Sequence, residues 1–127
     1  MGLAEYFEKT EGMGVLATSD AEGNVELAIY ARPYVIDEET IGFSMAERLS
    51  LLNLESNPKA AYMFVEKGQG YRGKRLYLVK LGEETDSERV EEIKKQHGRK
   101  SHVSKDVAKH FVYFKINRIR PPAGNER

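Results

Sequence analysis

Residues 41–58 read IGFSMAERLSLLNLESNP, and the change of period inside this stretch decides the fold. Ile41, Phe43 and Met45 alternate as on a strand, and from Glu47 the apolar residues Leu49, Leu51 and Leu52 recur at helical spacing. Asn57-Pro58 closes the segment, because the residue before a proline is pushed out of the helical region, so the helix should end near Ser56. A strand that runs straight into a short helix aims the first backbone N–H groups of that helix outward, where they can seat an anion. Ser44 and Ser50 can add hydroxyl donors and Arg48 a fixed positive charge. The expectation is a phosphate seat with the surrounding strands arranged around what the phosphate carries.

Upstream, Leu3–Thr10 places Leu3, Tyr6 and Phe7 on one side of a short amphipathic helix, which Gly12 and Gly14 end. Met13–Ser19 is a first strand, and Asp20-Ala21-Glu22-Gly23-Asn24 is turn chemistry. Val25–Pro33 is a second strand, with Val25, Leu27, Ile29 and Ala31 on one face and Glu26, Ala28, Tyr30 and Arg32 on the other. Tyr34-Val35-Ile36 continues extended to a turn at residues 37–40, and the third strand then enters the opening stretch.

Downstream, Lys59–Glu66 alternates as a fourth strand, and a glycine-rich link at residues 68–73 leads to a fifth over Lys74–Leu81. Asp86–Gln96 is a charged helix anchored by Val90 and Ile93, with Glu91 and Lys95 at the i,i+4 spacing of a solvated face. Residues 97–109 are polar, with room for one helical turn. His110–Ile119 is a last strand, and Pro121-Pro122 begins a frayed tail. Five or six strands joined mostly as hairpins, with short helices, indicate one mainly β domain over residues 1–127, a small antiparallel barrel with helical additions.

Forty per cent hydrophobic and 31% charged residues are ordinary for a soluble domain. No apolar run approaches the roughly 20 residues needed to span a bilayer, the first residues are too acidic for a signal peptide, and Tyr6 stands where a myristoylation motif takes Ser or Thr. A cytoplasmic location follows by default. The absence of cysteine excludes thiol nucleophiles and cysteine-ligated clusters, and the balance of 20 basic against 20 acidic residues argues against a general nucleic-acid binder.

Gly68-Gln69-Gly70-Tyr71-Arg72-Gly73 matches G-x-G-x-x-G, but a strand rather than a helix follows, so it reads as a hairpin link. The basic residues Arg72, Lys74, Arg75 and Lys80 among Tyr71 and Tyr77 read first as a solvated strand face and second as a contribution to an anionic small ligand. His97, His102 and His110 lack the spacing of a zinc site and read as surface histidines. No serine sits in a nucleophile motif. Ser44, Arg48, Ser50 and Asn53 remain, and spacing alone leaves two readings: the exposed side and cap of a common strand-to-helix junction, or the anion seat.

Three segments tip that balance by likeness: GVLATSDAEGNVELAIYARPYV, IGFSMAERLSLLNLESNPKAAYMFV and GKRLYLVKLG. They carry a G-x-(L/I)-A-T strand at Gly14–Thr18, a D-x-x-G turn at Asp20–Gly23 and an N-L-x-x-N-P helix end at Asn53–Pro58, in the order and with the gaps of one family. From Gly12 to about Leu81 the chain resembles the pyridoxamine 5'-phosphate oxidase-like flavoproteins, which have the FMN-binding split-barrel fold. The resemblance implies a homodimer with FMN at its interface. It assigns Tyr30, Ala31, Arg32 and Pro33 to the flavin, with Arg32 near the ring. Phe43, Ser44 and Met45 run along the ribityl chain and phosphate, and Arg48, Leu49, Ser50 and Asn53 bind the phosphate itself.

The lysine usual in that turn aligns with Ser50, which makes Arg48 the replacement charge. The chain has no tryptophan and ends HFVYFKINRIRPPAGNER, so the C-terminal substrate pattern of the true oxidase is missing and vitamin B6 oxidation is not implied. The reading is an oxidoreductase acting on a small substrate, whose specificity would lie in residues 86–110. The alternatives are an electron carrier that only holds FMN, or a split barrel loaded with F420 or haem. Replacing Arg48 with Ala should weaken FMN far more than riboflavin in parallel titrations; equal losses would remove its phosphate role.

Overall fold

The interior is filled by aromatic rings, and the chain wraps a single sheet around them. The computed structural model describes residues 2–46, 48–96 and 110–124, without the side chains of Arg48 and Ser87. Helix α1 (Leu3–Lys9) precedes strands β1 (Gly12–Ser19), β2 (Val25–Tyr30), β3 (Tyr34–Asp37) and β4 (Thr40–Met45). Helix α2 (Arg48–Ser56) follows, then β5 (Lys59–Glu66), β6 (Gly73–Glu84), α3 (Ser87–Gln96) and β7 (His110–Arg120). All seven strands belong to one antiparallel sheet in the order β2-β1-β5-β6-β7-β4-β3. Its two edges do not pair with each other, so the barrel stays split.

The sheet nevertheless rolls up. Tyr30 on the edge strand β2 lies 5.8 Å, centroid to centroid, from Phe43 on β4, which is next to the opposite edge. Phe43 in turn packs on Tyr62 at 4.9 Å and on Phe114 at 6.0 Å. Leu16, Ile41, Met45, Leu76 and Leu78 fill the spaces between these rings and are buried.

The helices close the two ends. At the start of β1, α1 inserts Phe7 edge-on against Phe64 at 5.3 Å, and the Tyr6 hydroxyl donates to Glu66 Oε2 at 2.6 Å. Burial together with that carboxylate pushes the Tyr6 hydroxyl well above the ordinary tyrosine range, so it stays a donor. At the other end of β1, α2 packs Leu54 inward, and buried Asn53 donates through Nδ2 to Thr18 Oγ1 at 3.0 Å. The Asn57 N–H gives the last turn of α2 its bond to Asn53 O at 2.8 Å, and Pro58 then stops the helix where expected. A second, smaller cluster lies on the opposite face of β3, β4 and β7, where Val90 and Ile93 of α3 meet Tyr34, Phe111 and Tyr113.

The sheet has one or two strands more than the hairpin reading gave. Residues 25–33 are not continuous: β2 stops at Tyr30, and Tyr34–Asp37 is a separate strand on the far edge. Pro33 explains the break, since it has no N–H to give a ladder. The link at residues 68–73 joins β5 to β6 as expected, with the Glu66 N–H donating to Arg72 O at 2.8 Å. The polar stretch 97–109 lies outside the described residues.

Gly14 is a point of close approach in the interior. A methyl group there would overlap the Tyr62 hydroxyl and ring, with Cε1 at 2.6 Å, and Tyr62 is fully buried with nowhere to retreat. Gly14→Ala should therefore destabilise the fold by about 1–3 kcal/mol, read as a lower urea midpoint; an unchanged midpoint would mean the ring moves freely.

Candidate functional site

The chain between β2 and β3 crosses from one side of the split to the other, and β4 runs beside its end. Tyr34 pairs with Gly42, so Pro33 lies beside β4, and Ser44 is two residues, about 7 Å, further along that strand. Tyr30, Ala31, Arg32 and Pro33 are thus brought alongside Phe43, Ser44 and Met45.

The side chains divide sharply. Phe43 and Met45 point into the core and are buried, which leaves only their backbone to face a ligand. Ser44 is half-buried on the opposite face, beside its cross-strand neighbour Phe111. In α2, Leu49 is exposed, Ser50 is fully buried, and Asn53 is turned inward on Thr18. Asn53 therefore ties the helix to the barrel, Ser50 is closed off from the surface, and Leu49 faces outward. Arg48 opens α2.

The 30–33 crossing is held at both ends. The Tyr62 hydroxyl lies 3.2 Å from Tyr30 O and 3.1 Å from Ala31 O, close enough to share its one proton between the two carbonyls. Arg32 Nη1 donates to Phe7 O at 2.8 Å and Glu8 O at 3.0 Å, carbonyls of the last turn of α1. A cation at a helix C-terminus is favourably placed against the dipole, and this bond turns the guanidinium toward α1.

Two residues gain positions that the sequence did not suggest. His110, read as a surface histidine, is the first residue of β7 and lies opposite Met45 at the end of β4. Its Nδ1 sits 2.6 Å from Glu83 Oε2, and Lys80 Nζ reaches Glu83 Oε1 at 3.3 Å. Tyr62, within the alternating strand β5, is turned into the centre of the barrel. Neither position is visible from local spacing, since both depend on which strands are neighbours.

The outer face of the sheet is the other unusual feature. Val25, Leu27 and Ile29 of β2 point away from the core and are 78%, 67% and 72% exposed. Cross-strand pairing extends the row: Ile29 lies beside Val15 and Met63, and Leu27 beside Ala17 and Ala61. On β6 and β7 the same rows change character, to Arg75 with Arg120 and Tyr77 with Arg118. The alternation read from the sequence is therefore real, with its apolar side outward. Among the described residues there is no group of acidic and histidine side chains able to hold a metal, and no helix long and apolar enough to cross a membrane.

No protein-family model matches the chain, and no curated protein matches it in sequence. Solved structures do match. An FMN-binding protein from Syntrophomonas wolfei superposes with a TM-score of 0.76 at 20% identity, covering 97% of this chain and 85% of that one. A protein described as an F420 reductase superposes at 0.68 with 14% identity over 91% and 94% of the two chains. A pyridoxamine 5'-phosphate oxidase-like protein from Lactobacillus delbrueckii superposes at 0.67 with 14% identity over 92% and 88%. The chain is a split barrel. It shares the fold of the FMN-binding and pyridoxamine 5'-phosphate oxidase-like proteins over more than nine-tenths of its length, including β7, which lies beyond Leu81 where the sequence likeness stops.

In this split barrel, Glu83 feels two opposed effects. Burial raises its pKa, and the bonds from His110 and Lys80 outweigh that and hold it below the ordinary glutamate range. A depressed folded-state pKa contributes stability above the unfolded value of about 4.3 and loses it as pH falls through the folded value. Glu83→Gln should therefore lower the urea midpoint at pH 7 and leave it unchanged near about pH 2. Equal losses at both would show that the charge is not what stabilises.

Proposed function

We propose that the protein is a homodimeric flavoprotein that binds FMN between two copies and acts as an oxidoreductase on a small molecule other than a B6 vitamer. The observation that carries this reading is the outward apolar row of β2, β1 and β5, in a fold shared with an FMN-binding protein over nearly the whole chain. Three large apolar side chains in a row on an edge strand are a liability in a monomer. Covering them contributes about 1.5–3 kcal/mol each. A second copy set on the same face buries both rows at once, and Arg75, Arg118 and Arg120 of β6 and β7 then stand at the margin of the interface.

The residues fit FMN in kind. The crossing at residues 30–33, braced by Tyr62 and Arg32, is a fixed stretch of main chain suited to lie along the polar edge of a flavin ring. The backbone of β4 and the half-buried Ser44 hydroxyl suit a ribityl chain. The first turn of α2 suits a phosphate, and Arg48, whose side chain lies outside the described residues, is the proposed charge there. When bound, FMN would supply the electron chemistry, and the protein would supply orientation, nearby charge and exclusion of water. Arg32 acts here as a brace on the flavin segment more than as a charge presented to the ring.

The likeness to an F420 reductase favours one second reading, a deazaflavin in the same groove. An absorption spectrum of the purified protein, repeated after FMN addition and gel filtration, separates the two. Retained oxidised-flavin bands support FMN, whereas FMN passing through unbound from a protein that retains F420 would favour the second. Leu27→Glu should weaken the dimer by about tenfold or more in sedimentation equilibrium and release FMN with it. A variant that stays dimeric and yellow would place the interface elsewhere.

A further inference from the structure

Tyr62 lies at the centre of the barrel, fully buried between Leu16 and Leu76 on the neighbouring strands. Its ring packs on Phe43, and its hydroxyl passes beneath Gly14 to reach Tyr30 O and Ala31 O. Only a residue without a β-carbon at position 14 leaves that path open. The hydroxyl therefore connects the packed interior to the point where β2 ends and the crossing to β3 begins. Pro33, which has no N–H, keeps that crossing out of a ladder. From the interior, the Tyr62 hydroxyl reaches two consecutive carbonyls at its start.

We propose that the Tyr62 hydroxyl is a positioning group for the cofactor: through Tyr30 O and Ala31 O it sets the backbone geometry of residues 30–33, in a channel that Gly14 keeps clear. This rests on the reading that residues 30–33 contact the flavin. The hydroxyl does not touch the ligand itself. It fixes one end of the segment from inside the barrel, and Arg32 fixes it from α1 at 2.8 and 3.0 Å. The predicted consequence is that the flavin-ring end of the site is rigid before any ligand arrives, which lowers the ordering cost of binding.

Tyr62→Phe keeps the ring and removes the donor, so it isolates the hydroxyl from core packing. Amide exchange should quicken at Ala31 and Arg32, and FMN affinity, followed by quenching of flavin fluorescence, should fall roughly five- to tenfold. Riboflavin should lose the same factor, because the affected end carries the ring and not the phosphate. Unchanged exchange at Ala31 and Arg32 would overturn the proposal, and so would faster exchange with FMN affinity intact. A loss for FMN much larger than for riboflavin would also overturn it, by moving the effect to the phosphate end. Each of these results leaves FMN binding by the wild type standing. Wild-type protein that binds no FMN at all would instead end the cofactor reading, and this proposal with it.

Discussion

The barrel is held at a fixed girth by the rings inside it. Phe43, Tyr62 and Phe114 stack across the interior, and Phe7 and Phe64 close the end beneath α1. Rings of this size pack at near-crystalline density and cannot be compressed. With these rings in place the sheet curls far enough to bring Tyr30 against Phe43, while its edges β2 and β3 stay unjoined. The crossing at residues 31–33 spans that split outside any ladder, and the candidate site is built on it.

Much of this was legible in the sequence because it is local. The switch of period after Met45, the stop at Asn57-Pro58 and the alternation of Lys59–Glu66 each depend on neighbours within a few residues, and each element formed where its pattern put it. The orientation of β2 was not legible. Alternation gives two faces and does not say which is inside, and here Glu26, Ala28 and Tyr30 turn inward while the apolar face is outside. The same limit applies to Ser50 and Asn53. A polar residue early in a helix reads as a cap or a ligand contact, and only the docking of α2 on β1 turns Asn53 toward Thr18. His110 lacked any local cue, since its partners Met45 and Glu83 are far away in the chain.

The candidate site emerges as one made mainly of backbone. Phe43 and Met45 face the core, Ser50 and Asn53 face the barrel, and Arg32 is bonded to α1, so few side chains remain to contact a cofactor directly. Such a site depends on main-chain atoms being held in place by residues behind them. Specificity then resides in the supports as much as in the contacts, as happens around metal centres where outer partners orient the ligands.

The sheet order has a consequence for the making of the protein. β7 lies between β6 and β4 and is the strand that joins the β3–β4 hairpin to everything else. It also follows every other described strand in sequence, so during synthesis β4 waits, with one edge bare, until about seventy further residues have emerged from the ribosome. Pairings between residues so distant in sequence are slow to form, and an unpaired edge is an invitation to aggregation. The apolar row on β2 is exposed over the same interval. Yield from the cell should therefore depend on the speed of translation and on chaperone supply more than the small size of the domain suggests.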